Sequence, residues 1–297
     1  MTSNRMTSDY GPPGAVMPSL VAGEGRRIRA RAALAVLGGV YLALALFAPA
    51  LAPQSTSTLG SAAPYLGIGS KYLLGTDELG RDLLSRLLVA ARVGIFVGAA
   101  SVALAMLAGG VLGLLGGYLG GVIDSTISRV VDFLFAFPEF LLGIIVIAAL
   151  GPSMWHAALA IGIVYTPRFA RLTRSEVLAV KATSYIEAAQ IARRSPLSII
   201  ARHVIPNVTG PLVVFGALSM STAQLTYAGL SFLGFGARPP TPDYGQMLAD
   251  GTTHMLQDPL LVLAPAVALS LLVLGFTFFG DLLRDALDPR SGPGRQR

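Results

Sequence analysis

The side chains that could carry out chemistry are few and widely spaced in this sequence. The chain has no cysteine and three histidines, and His156, His203 and His254 show no metal-ligand spacing such as H-E-x-x-H. Ser231 lies two residues after a glycine, but the rest of a G-x-S-x-G motif is missing and no histidine is placed to act as its base. An intramembrane hydrolase using Ser231 is one alternative function, and it predicts that Ser231→Ala abolishes turnover.

Glu139 is the main acidic residue inside an apolar stretch, and it directly follows Pro138. Ionisable groups at membrane depth usually face a charged partner or a water-filled path. Glu139 is therefore a candidate pathway residue, with a position among lipid headgroups as the alternative. It also suggests a different function, a secondary transporter in which Glu139 couples uptake to protons or sodium. Such a transporter would lose uptake to an uncoupler while ATP is held constant.

The elements that must position these residues are membrane helices. With 53% hydrophobic and 13% charged residues and a mean hydropathy of +0.65, the chain has too little polar surface for a soluble globule. About 20 mostly apolar residues are needed to cross about 30 Å of hydrocarbon. Six stretches meet this requirement, approximately residues 32–52, 93–119, 133–150, 154–170, 211–235 and 259–280. The predicted fold class is an all-α membrane protein with six transmembrane helices.

The distribution of positive charge predicts the orientation. Six crossings place both termini on one side of the membrane, and Lys and Arg are retained on the cytoplasmic face. With both termini in the cytoplasm, 17 of the 22 basic residues lie on cytoplasmic segments. The net charge of +6 is therefore a topology signal, and no binding to nucleic acid is expected. We predict a multi-pass protein of the inner or plasma membrane.

The same pattern divides the chain into four parts. Residues 1–30 are polar and rich in Pro, Gly and Ser, which predicts a disordered cytoplasmic tail. Residues 31–92 hold the first transmembrane helix and an extracytoplasmic segment, residues 93–290 the transmembrane core, and residues 291–297 a C-terminal tail. Within the core, glycine recurs every fourth residue from Gly109 to Gly121, which predicts a close helix–helix approach.

A polar stretch over residues 167–207 is the longest internal cytoplasmic segment, and loops of such length usually have a function. Ser184 and Glu187 match the S-x-x-E capping box, so a short helix should begin at Tyr185. The following proline should end that helix, with Ser195 capping a second one. Small side chains that would let the first helix enter a groove are Ala188, Ala189 and Ala192.

Four blocks of sequence resemble one family. Residues 184–207, with Tyr185-Ile186-Glu187-Ala188-Ala189 and His203-Val204-Ile205-Pro206-Asn207, resemble the EAA loop of binding-protein-dependent ABC transporter permeases. The other three blocks are similar to the dipeptide, oligopeptide and nickel subfamily of the OppC/DppC kind. They are Gly75–Arg86, Leu230–Gly236 with the Pro239-Pro240 that follows, and Asp281–Arg290.

The resemblance implies the type I ABC importer permease fold and a permease subunit of an ATP-driven importer. Such a subunit forms half of the pathway for di- or oligopeptides, or for related small solutes such as nickel chelates. The implied partners are a second homologous permease, two ABC ATPase subunits and an extracytoplasmic substrate-binding protein. The chain has no G-x-x-x-x-G-K-[ST] motif, so ATP and Mg are expected in the ATPase subunits and no cofactor or metal in this chain.

In that family the EAA loop is a coupling helix that fits a cleft on the ATPase. The residues carried over to this role are Tyr185, Glu187, Ala188, Ala189, Ala192, Arg193, Ser195 and Pro206. Arg193 departs from the pattern, because the family usually has glycine there. A left-handed bend costs arginine on the order of 1 kcal/mol more than glycine, so a wider bend is expected.

Overall fold

The computed structural model describes residues 18–56 and 62–287. Within these residues the regular structure is helical, apart from one isolated bridge between Thr76 and Asp82. In chain order the helices are α1 (Pro18–Leu51), α2 (Leu83–Leu119), α3 (Gly121–Phe135), α4 (Glu139–Leu150), α5 (Met154–Lys181), α6 (Ser184–Ile191), α7 (Pro196–Ile199), a π-helical turn (Ile200–Val204), α8 (Ile205–Phe232), α9 (Tyr244–Thr253) and α10 (Leu260–Leu287). The predicted all-α class is confirmed.

Four helical segments in the described part of the chain are long and apolar enough to cross a membrane. They are Ala32–Leu51 of α1, the whole of α2, Pro196–Phe232 through α8, and α10. The helices α3 and α4 qualify only as a pair, which would make five spans. The fourth predicted crossing corresponds to α5, which has 28 residues but a charged second half.

The predicted third crossing is not one straight helix. The helices α3 and α4 meet at 90°, and the break falls at residues 136–138, before Glu139. Pro138 has no N–H to donate, and it pushes the preceding residue out of helical geometry. The 12 residues of α4 extend only about 18 Å at 1.5 Å per residue, so α4 alone is too short to span the bilayer.

Both predicted boundaries of the second part of the chain, residues 31–92, differ from the structure. Helix α1 begins at Pro18, so residues 18–30 are helical and not a disordered tail, while residues 1–17 and 291–297 lie outside the described residues. An Arg- and Ala-rich run explains the early helix, because both residues favour helices. Helix α2 begins at Leu83, where Asp82 accepts a hydrogen bond from the Ser85 amide at 2.9 Å. The predicted boundary at residues 92 and 93 therefore falls inside α2.

The predicted forty-residue loop is mostly helical. Helix α5 continues through Pro167 to Lys181, and the only non-helical described positions before α7 are 182–183 and 192–195. Pro167 lies inside α5 and is buried, so the helix continues through it within the protein interior. As a result, α6 is joined directly to a long membrane helix.

The centre of the fold is the contact between α2 and α5, the most extensive helix pair of the described chain. Gly109, Gly113 and Gly117 lie against α5, where an added Cβ would meet backbone or Cβ atoms at 3.1 Å or less. This confirms three members of the predicted glycine ladder. Gly121 does not belong to it, because it begins α3 with a φ of +57° and faces open space.

Candidate functional site

Helix α6 is anchored to the rest of the chain chiefly by Ile186, whose side chain is fully buried. Ile186 lies in a cluster with Val177 of α5, Ile199 of α7, Val204 of the π-helical turn and Val208 of α8. Burying a side chain of this size contributes about 1.5–3 kcal/mol. Ala189, one turn further on, packs against the same cluster, so Ala189 is an anchoring residue and not part of the free face.

The opposite face of α6 and the start of α7 leave apolar side chains exposed. Ile191, the last residue of α6, is 83% exposed, and Leu197 of α7 is 78% exposed. The two residues are six positions apart in sequence. The predicted coupling residues on this face are Tyr185, Glu187, Ala188, Ala192, Arg193 and Ser195, all exposed. We call this face, with Ile191 and Leu197, the coupling surface. Pro206 is also exposed but lies on the first turn of α8.

Of the two predicted helix caps, the first is wrong and the second is confirmed. Helix α6 begins at Ser184, one residue early, and the Glu187 amide donates to the Thr183 carbonyl at 3.3 Å. The Ser184–Glu187 capping box is therefore wrong, because Ser184 is already inside the helix. The second cap is confirmed, since Ser195 Oγ accepts from the Ser198 amide at 3.3 Å.

The bend after α6 is tight, and the prediction of a wider bend is wrong. Arg193 itself adopts the left-handed conformation with φ of +52°. The Arg194 amide donates to the Ala189 carbonyl at 3.2 Å, and the Ala192 amide to Ala188 at 3.0 Å. A left-handed residue followed by a hydrogen bond back across five residues is the Schellman helix ending. Arginine thus occupies a position that glycine would occupy at lower cost.

A polar contact joins α6 to the start of α8. Asn207 Nδ2 donates to the Tyr185 hydroxyl at 3.4 Å and to the His203 carbonyl at 2.6 Å. The Tyr185 and His203 rings have centroids 6.0 Å apart. These residues stood at separate ends of the family motif, and the fold brings them together at the edge of the coupling surface.

Three arginines spaced three residues apart on α5 pair with acids of the bent segment. Arg168 pairs with Glu139, Arg171 Nη2 with Asp132 Oδ1 at 2.7 Å, and Arg174 Nε with Asp124 Oδ1 at 2.5 Å. We call these three ion pairs together the ion-pair ladder. Sequence spacing could not reveal it, because the partners lie 29, 39 and 50 positions apart.

Glu139 is engaged in the first of these pairs. Both of its carboxylate oxygens accept from the Arg168 guanidinium, which also lies 5.0 Å from the centroid of the Tyr165 ring. A coupling acid that takes up and releases protons would have to separate from this cation first. The geometry therefore favours a fixed ion pair at the start of α4 over proton coupling.

Ser231 is buried and is not available to a substrate. Its hydroxyl donates to Asp243 Oδ1, and the same carboxylate accepts from the amides of Ala237 at 3.1 Å and Gln246 at 2.9 Å. Asp243 is fully buried, and these donors compensate for the loss of water. The four residues close the connection between α8 and α9, so the geometry gives Ser231 a structural role and does not support a hydrolase.

Comparisons with known proteins identify the family and several relatives of the chain. Residues 109–292 match the family described as binding-protein-dependent transport system inner membrane component. The chain is 40% identical over 261 residues to the dipeptide transport system permease protein DppC of Alkalihalophilus pseudofirmus, covering 86% of each chain. It is 42% identical over 224 residues to the glutathione transport system permease protein GsiD of Pectobacterium atrosepticum, covering 75% of this chain and 74% of the relative.

Solved structures of similar fold include an ABC transporter. It is the MetNI methionine ABC transporter in inward facing conformations, with a TM-score of 0.50 and 21% identity. The alignment covers 66% of this chain and 94% of that chain.

Proposed function

Because the chain belongs to the family of binding-protein-dependent transport system inner membrane components, we propose that it is a permease subunit of an ATP-driven importer for small peptides. The carrying observation is the coupling surface, an exposed apolar face on a short helix that is seated on membrane helices. The peptide assignment follows the relatives, whose names specify dipeptide and glutathione transport. Nickel chelates and similar small solutes are the wider substrate class.

The partners follow from the same membership. An importer of this family works with an ATPase and a substrate-binding protein, and this chain is its multi-pass inner-membrane component. We propose further that two ATPases act on two homologous permeases. The described chain offers one coupling surface, which suits one ATPase cleft, so a second ATPase requires a second permease. ATP and Mg then belong to the ATPases, and this chain binds no cofactor.

We propose six crossings with both termini in the cytoplasm. This count takes the α3–α4 pair as one crossing and α5 as another, in addition to the four apolar spans. The support is the clustering of basic residues at the coupling end of α5, where Arg168, Arg171, Arg174 and Lys181 lie on the last four turns. Basic residues are retained in the cytoplasm, on the side where the ATPase docks.

In this arrangement a push on α6 is passed directly to α5. The link between them is two residues long, and Ile186 is packed against Val177 of α5. The ion-pair ladder then joins α5 to α3 and α4. ATPase closure would therefore tilt α5 together with the bent pair, which changes the pathway between inward-open and outward-open states.

The coupling surface can be tested with Glu187→Ala and Ile191→Ser in the complete transporter. Truncating an interface residue that carries binding energy costs about 1–3 kcal/mol, which weakens binding about five- to 150-fold. Co-purification of the ATPase, transport and transport-coupled ATP hydrolysis should all fall, while membrane insertion stays intact. Leu256→Ser is the matched control, because Leu256 is 99% exposed at the other end of the protein.

The outcomes separate the hypotheses. Unchanged transport in Glu187→Ala removes that residue from coupling, and unchanged ATPase retention in both variants contradicts docking at α6. An ion-coupled transporter would instead lose uptake to an uncoupler at constant ATP and would work without ATPase subunits.

A further inference from the structure

A cavity of about 480 Å³ lies between the N-terminal halves of α2 and α5, at the end of the molecule opposite the coupling surface. Its walls are mainly apolar and aromatic. The lining side chains that matter here are Arg92 and Phe96 of α2, Trp155 of α5 and Thr241 of the connection between α8 and α9. In the proposed topology this is the extracytoplasmic side of the membrane.

Arg92 is the one charged residue of this cavity's lining. Its guanidinium carbon lies 5.5 Å from the centroid of the Phe96 ring, and within the described residues it forms no ion pair. The residue is nine positions into α2, which is about 14 Å along the helix axis. Its side chain is partly exposed at the cavity, and no carboxylate of the described chain neutralises its charge there. The free cation therefore points to an anion that arrives from outside the chain.

A second cavity of about 370 Å³ adjoins the first, and both are lined by Met154, Trp155 and Thr241. It adds Arg238 as a second cation, and no Asp or Glu lines either cavity. Trp155 lines both cavities and is 55% exposed. The combined space thus offers two cations and two aromatic rings, with no acid to repel an anion.

We infer that this pair of cavities binds a carboxylate or phosphate group attached to an apolar body, with Arg92 holding the anion and Phe96 and Trp155 packing against the rest. Arginine suits such groups because its planar guanidinium donates two parallel hydrogen bonds. The inference rests on the proposed function for one source of the anion, the terminal carboxylate of a peptide. The other source with the same chemistry is the headgroup of an anionic lipid.

The test uses the absence of cysteine from the chain. Thr241→Cys places one thiol at the wall shared by both cavities. The variant is studied in the complete transporter, and the label on this chain is measured after the subunits are separated by gel electrophoresis. A thiosulfonate reagent carrying a sulfonate should react faster than one carrying a trimethylammonium, by on the order of tenfold in a half-buried site. Added Arg92→Gln should remove most of this preference, and Arg92→Lys should keep it.

Arg129→Gln is the matched control, since Arg129 also forms no ion pair among the described residues but lies on α3. It should leave the reagent preference unchanged. No preference for the sulfonate, or a preference that survives Arg92→Gln, overturns the inference. The labelling needs no ATP hydrolysis, so its result is independent of whether the chain works as an ATP-driven permease.

Protection of the thiol distinguishes the two sources. Dialanine protecting better than its C-terminal amide assigns the site to a substrate carboxylate. Protection that depends on phosphatidylglycerol replacing phosphatidylcholine in the reconstituted membrane assigns it to a lipid headgroup. Equal labelling with dialanine, with its amide and in both lipids shows that no anion is held there, and the inference fails.

Discussion

Gly109→Ala tests the close contact of α2 with α5 on which the rest of the fold depends. An added Cβ would lie 2.5 Å from the Thr166 carbonyl oxygen, 2.6 Å from Phe169 Cβ and 2.8 Å from the Ala170 amide nitrogen. None of these atoms can rotate away, because two belong to the backbone and the third is a Cβ. Relief to an ordinary contact requires the helices to separate by about 0.9 Å.

A separation of this size removes a quarter to a half of the attraction of each atom pair along the contact. Inserting a methyl group into a packed core typically costs about 1–3 kcal/mol. Gly110→Ala is the matched control, since its Cβ would meet only Leu212 Cδ2 at an ordinary 3.5 Å. Both variants gain the same helix propensity, about 1 kcal/mol, so their difference isolates the packing cost at Gly109.

Thermal unfolding of the purified transporter in detergent measures this difference. With roughly 2–4 °C per kcal/mol for a chain of this size, Gly109→Ala should unfold a few to about ten degrees below Gly110→Ala. Equal stability of the two variants, or greater stability of Gly109→Ala, would show that α2 and α5 are not in close contact at this point.

Three further changes have defined outcomes. Arg193→Gly should stabilise the bend after α6 by about 1 kcal/mol, because a φ of +52° costs energy for arginine but not for glycine. Amide hydrogen exchange after α6 should therefore slow in this variant. It should not slow in Arg193→Ala, because alanine meets the same steric cost. Asp124→Asn should speed amide exchange in α3 through loss of the Arg174 pair, at a stability cost below about 1 kcal/mol because both groups are partly exposed; the double exchange Asp124→Arg/Arg174→Asp should restore slow exchange. Burial, together with nearby Glu78, raises the pKa of the Asp250 carboxyl above its ordinary 3.8, so its ionised form is disfavoured in the fold and Asp250→Asn should stabilise the protein at neutral pH. That gain should vanish as the pH falls through about 4, where the carboxyl is protonated in both states, and an equal gain at pH 3 would contradict it.

The apolar stretches and the glycine ladder were predictable from sequence because each depends on residues close together in the chain. Hydropathy located the four long spans, and the four-residue glycine spacing located the α2 face that meets α5. The 90° break before Glu139 was not predicted, because Pro138 in a membrane helix is compatible with a kink as well as with a break. Whether Pro138 causes a kink or a break depends on how α3 and α4 are held against α5. The acids that make these contacts are far in sequence from their arginine partners on α5.

The positions of the proposed coupling residues on α6 were predictable from sequence, but the direction in which each side chain points was not. The motif named Ala188 and Ala189 together, yet only Ala189 packs against the buried cluster. The motif also assigned no role to Ile191, which is 83% exposed. The helical period starting from Ile186 would have separated the two faces, since residues three apart lie on one side. This assignment also needs the start of α6, which the structure places at Ser184.

The ion-pair ladder explains why a motif at α6 and an acid at Glu139 belong to one device. Arg168, Arg171 and Arg174 follow one side of α5 over two turns, so their acids hold both arms of the bent pair, Asp124 and Asp132 on α3 and Glu139 on α4. Each pair alone is worth little at a partly exposed site. Acting together they fix α3 and α4 in one orientation relative to α5, and a break of 90° cannot straighten without parting at least one pair. If the proposed ATPase contact moves α5, Glu139 must move with α5 or its ion pair with Arg168 must break.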